Sequence, residues 1–151
     1  MANVTRAAKL DPSSEPSAKA KRKECTMSEQ REVARQSGTS LVFACSGAAD
    51  VGAISDRAAR RLSAEKSASM CCIAAIGADI QEIVAKARSA GAIVAIDGCS
   101  LECAKKVLEQ GGFQGFAHVQ LEDMGMGKGK SPVTDERVET VAQEARKFCC
   151  R

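Results

Sequence analysis

From residue 41 onward, short apolar runs alternate with stretches whose apolar positions recur every three or four residues. LVFAC at 41–45 follows a Ser-Gly break and reads as a strand buried on both faces. In SGAADVGAISDRAARRL, which follows, Val51, Ile54, Ala58 and Leu62 fall at helical spacing, with Arg57, Arg60 and Arg61 turned outward. A second apolar run, SMCCIAAIGA, covers 69–78. Its strand either ends at 72, leaving 73–78 as loop, or runs from 71 to 76; periodicity leaves both open.

ADIQEIVAKARSAG predicts a helix capped by Asp79 with Glu82 three residues on, an apolar stripe of Ile80, Ile83, Val84 and Ala87, and a stop at Gly91. AIVAI at 92–96 is the third strand. Residues 100–110 predict a helix with Leu101, Ala104 and Leu108 inward, ended by Gly111-Gly112. FAHVQL at 116–121 is a fourth strand, followed by a loop holding Gly125, Gly127 and Gly129 with Lys128 and Lys130. The last helix starts at a Thr134 cap, with acids in its first turn and Val133 placed to staple onto Val138. Strands alternating with amphipathic helices imply crossover connections and a mainly parallel sheet. The expected fold is a small doubly wound, Rossmann-like α/β sandwich of three layers with four strands.

Residues 1–38 show neither period. They carry two of the three prolines and a basic cluster at Lys19, Lys21, Arg22 and Lys23. This segment reads as a disordered basic extension, 39–148 as a single α/β domain, and 149–151 as a tail. Residues 1–38 hold eight Lys/Arg and five Asp/Glu, so the net +3 of the chain resides there; the remaining fourteen of each cancel. The folded part therefore has no basic footprint for nucleic acid, and the basic cluster is the one feature suited to a protein or other anionic partner. No apolar run reaches the roughly 18–20 residues that span a bilayer, and no secretory leader is recognisable. A cytoplasmic protein is expected.

The chain has eight cysteines, and in a reducing compartment such a count points to metal or thiol chemistry rather than a disulfide framework. In doubly wound folds ligands bind outside the carboxyl ends of the strands. Cys45 closes the first strand, Cys99 follows the third by two residues, and Cys103 lies four further on, able to share a helical face with Cys99. Three thiols thus arrive at one edge. Cys72 joins them if the second strand ends there, with Cys71 alternating away as a small core residue. A helix start beside Cys99 and another after Cys45 are expected to depress the pKa of those thiols, and Gly98 to allow the turn between. A strand ending in Cys before a small-residue loop is also seen in cysteine phosphatases, but the arginine they need six residues on is Val51 here.

The blocks CSGAADVGAISDRAARRL, M-x-C at 70–72, AIDGCSLECAKK and HVQLEDMGMGKGKSPVT, in that order, resemble the DGC-domain family, named for its Asp-Gly-Cys tripeptide and described as zinc- or metal-binding. The likeness covers about residues 40–147. Its pattern lands on Cys45, Cys72, Asp97-Gly98-Cys99 and Cys103, and its M-x-C spacing selects Cys72 over Cys71. The resemblance implies one zinc ion held by Cys45, Cys72, Cys99 and Cys103.

Four thiolates leave no open coordination position, so such a site is expected to serve metal handling or sensing rather than hydrolysis. The alternative is a thiol oxidoreductase with Cys45 or Cys99 as nucleophile, although no C-x-x-C is present. Cys25, Cys149 and Cys150 read as incidental, and His118 as a core or edge imidazole. The glycine loop reads as mobile rather than as an anion site. Asp50 and Asp56 read as capping or surface charges, or as groups orienting Cys45.

Overall fold

The computed structural model describes residues 38–149. Four parallel strands, β1 (Ser40–Ala44), β2 (Ser69–Cys71), β3 (Ala92–Asp97) and β4 (Ala117–Gln120), form one sheet in the order β2-β1-β3-β4. The helices between and after them are α1 (Asp50–Ala64), α2 (Ile73–Gly77), α3 (Gln81–Arg88), α4 (Cys103–Gln110) and α5 (Asp135–Arg146). Expectations for residues 1–37 and 150–151, including Cys25, Cys150 and the basic cluster, lie outside the described residues.

Strand alternation sorts the core into two layers. Val42, Ala44, Val94 and Ile96 pack against α1 and α5, while Leu41, Phe43 and Ala95 face α2, α3 and α4. Both faces of β1 are sealed; all five of its residues are buried. That is why LVFA carries no polar alternation. The three-layer α/β sandwich is the one the alternation of periods predicts. Among the described residues no helix is long and apolar enough to cross a membrane.

β2 stops at Cys71, and Cys72 is the N-cap of α2. Ile73–Gly77 is therefore helix, not loop. Asp79 does not cap α3; it adopts a left-handed conformation, φ 53°, that closes α2, with Ile80 N–H donating back to Ala75 O. Ile80 instead becomes the N-cap of α3 and is half exposed, outside the stripe assigned to it. Leu101 also departs from expectation. α4 begins only at Cys103, so Leu101 lies in the preceding turn and is 60% exposed. The α5 cap holds: Thr134 Oγ1 accepts from Arg137 N–H at 3.3 Å, and Val133 packs on the layer containing Val138.

Two glycines set how closely the connections approach α1. A Cβ on Gly52 would lie 2.4 Å from Gly47 O, and one on Gly98 would lie 2.7 Å from Val51 C and 2.8 Å from Val51 O. Gly98 is thus required by backbone contact with the first turn of α1. Gly98→Ala is expected to cost about 1–3 kcal/mol in urea denaturation. Gly127→Ala, which meets nothing within 4 Å, serves as the neutral control.

Candidate functional site

The connections from β1 and β3 leave the sheet in opposite directions. β1 leads through α1 to β2 over one face, and β3 leads through α4 to β4 over the other. The crevice between the carboxyl ends of β1 and β3 is therefore the topological switch point, where open α/β sheets bind ligands. Cys45 and the segment Asp97-Gly98-Cys99 meet there, joined by Cys45 N–H donating to Ile96 O at 2.9 Å.

Asp97 organises this junction. It is 1% exposed. Its Oδ1 accepts from Ala104 N–H at 2.8 Å, and its Oδ2 accepts from Lys105 N–H at 3.0 Å and from His118 Nε2–H at 3.1 Å. The N-cap residue Glu102 makes no side-chain cap and is left-handed at φ 52°. Asp97 thus caps α4 from the strand, and the intervening turn closes through Glu102 N–H to Cys99 O at 3.0 Å. A buried carboxylate is tolerated because all its neighbours donate to it. No local capping signature marks this role, because the acceptor sits seven residues before its first donor. His118 is accounted for as the partner of Asp97.

The β1–α1 loop is fixed as firmly. Ser55 Oγ–H donates to Cys45 O at 2.6 Å, and Ser46 Oγ–H to Asp56 Oδ1 at 2.8 Å. The glycine loop after β4 does hold an anion, and the anion is the protein's own. Asp50 accepts from Gly129 N–H and Ser131 N–H, each at 2.8 Å. These two bonds hold the Asp50 carboxyl below its ordinary pKa.

The sequence-predicted ligands stand as follows. Cys45 is half-buried, and Gly47 N–H donates to its sulfur. Cys99 precedes α4 instead of sharing its first turn, and packs partly on the α1 layer. Cys103 opens α4 and is exposed. Cys72 is exposed at the carboxyl end of β2, on the same rim but lining a neighbouring cavity. Cys149 is partly buried near the end of α5, its thiol 3.6 Å from Ala145 O.

The Cys45 thiol is pushed up, not depressed. Burial dominates; the Gly47 N–H opposes it; negative charge on Cys103, Asp97 and Cys99 raises it further. The expected helix-end effect loses because α1 begins only at Asp50, beyond the loop that buries Cys45. Thiol donors without histidine suit Zn²⁺ in chemistry. Among the described residues, however, no three His, Cys, Asp or Glu side chains form a group placed to hold a metal ion.

A family model, the DGC domain, matches residues 41–145, from β1 to the end of α5. The chain belongs to the DGC-domain family. The Anaerobic and virulence modulator AnvM of Pseudomonas aeruginosa (strain PAO1) is 39% identical over 88 residues, covering 58% of this chain and 67% of that protein. No solved structure matches. In this DGC domain the tripeptide has three separable placements: Asp97 caps α4, Gly98 admits α1, and Cys99 O accepts the Glu102 N–H that closes the turn.

Two outcomes follow from these contacts. Asp97→Asn places an amide N–H₂ where only acceptors serve, and is expected to cost about 1–3 kcal/mol of stability, read by urea denaturation. For Asp50 the folded pKa is lowered, so its contribution is complete above the unfolded carboxylate pKa of about 3.9 and is lost as pH falls through the folded value. The amide resonances of Gly129 and Ser131 should titrate together below that unfolded value, and Asp50→Asn should abolish the step.

Proposed function

We propose that this DGC domain is a zinc-binding module in which Cys45, Cys99 and Cys103, with Cys72 as the fourth ligand, hold one ion as thiolates. Support comes from Cys45 and Cys99 lying just after β1 and β3 and Cys103 opening α4, and from burial and neighbouring negative charge, which disfavour the Cys45 thiolate. A divalent cation reverses that sign: it draws the proton off Cys45 and offsets the neighbouring charge. Asp97 and Gly98 position Cys99 and Cys103 through α4, and Ser55 fixes Cys45 through its carbonyl.

The role is metal handling or sensing. Four protein thiolates leave no position for a reacting water, and a domain of this size does not require a metal to fold. AnvM is named as an anaerobic and virulence modulator. A thiolate site suits a modulating role of that kind, because oxidation of its sulfurs releases the metal. The rival reading, a thiol oxidoreductase, is weakened at Cys45, since a thiol pushed up by burial is a poor nucleophile at neutral pH.

Elemental analysis of protein purified from a reducing cytoplasm without added metal is expected to find about one zinc per chain. Cys99→Ser and Cys103→Ser should lose most of it, while Cys149→Ser keeps it. A zinc-free protein whose cysteines all alkylate freely overturns the reading.

A further inference from the structure

A cavity of about 750 Å³ lies beside the switch point, between α1 and the carboxyl end of the edge strand β2. Its volume falls in the range of small-molecule sites, about 300–1,000 Å³. Met70 and Ile73 contribute apolar surface, and Ser46, Asp56 and Arg60 contribute polar surface. The polar groups are ordered among themselves. Asp56 Oδ1 accepts from Ser46 Oγ–H at 2.8 Å, and its Oδ2 accepts from Arg60 Nε–H at 2.6 Å. Arg60, its side chain 68% exposed, is thereby tethered through Nε alone. Its terminal Nη donors have no partner among the described residues.

A guanidinium fixed through Nε presents a planar pair of donors that matches a carboxylate. Asp56 beside it leaves the pair neutral overall, which disfavours a phosphate dianion and suits a singly charged group. We propose that this cavity binds a small organic monocarboxylate, its carboxylate on the Nη edge of Arg60 and its apolar body against Met70 and Ile73. The groups that would hold the carboxylate, Arg60, Met70 and Ile73, are not among the proposed zinc ligands. Cys72 lines the same cavity, so an occupant covers that thiol.

The test uses 4-fluorobenzoate as probe, followed by fluorine NMR on the full chain, with the neutral 4-fluorobenzamide as comparator. Saturable binding of the benzoate, clearly tighter than that of the benzamide, is expected. Arg60→Gln should weaken it about tenfold. Ala64→Phe, at an exposed position lining the cavity, should abolish it by filling the space. Circular dichroism of both variants should match the parent. Cys99→Ser, outside this cavity, should bind the benzoate as the parent does whether or not zinc is held, which separates this site from the zinc reading. Absence of saturable binding, equal binding of the benzamide, or an unchanged affinity in Arg60→Gln overturns the proposal.

Discussion

A carboxylate buried at the end of the central strand β3 has to be met by donors, and the way Asp97 is met organises the rest of the molecule. Two of its donors are backbone N–H groups of α4 and the third is the His118 ring on β4. One side chain thus ties a strand to the helix after it and to the strand after that. The energetic asymmetry of buried polar groups gives this tie its force: the satisfied carboxylate adds modest net stability, whereas a lost partner leaves an uncompensated charge. Gly98 works with it. Its missing side chain lets the same turn lie on the backbone of α1, so the β1 and β3 connections meet at close range.

Once those connections meet, the backbone that carries Cys45 and Cys103 is held. Cys45 is held through its own carbonyl by Ser55, and Cys103 opens the helix that Asp97 caps. The loop after β4 is drawn onto the start of α1 by Asp50, whose carboxylate fills an anion cradle of backbone N–H groups. Burial, with smaller contributions from neighbouring charge, raises the Cys45 pKa.

The placement of Cys72 has a different logic. Strand β2 lies at the sheet edge, outside the switch point, and Cys72 follows it onto the α1 side. There it shares a cavity with an ordered Asp56–Arg60 pair. The same rim thus carries thiols at the switch point and an exposed guanidinium beside them.

Sequence periodicity by itself determined the layers. A run such as LVFA with no polar alternation is only stable with both faces covered, and the amphipathic stretches between such runs supply the cover, so the four parallel strands and their flanking helices follow from local pattern. It also put Cys45 just after β1 and Cys99 just after β3, where the structure has them. Local pattern failed where a residue's conformation was set by distant partners. Ile73–Gly77 forms a helix because Asp79 accepts a left-handed turn, and Leu101 is exposed because Asp97, not a neighbouring side chain, fixes where α4 begins. The cap on α4, the Asp50 latch and the raised Cys45 pKa arise from contacts between segments far apart in the chain. Only tertiary structure decides such terms, because burial and charge depend on distances through space and not on spacing along the sequence.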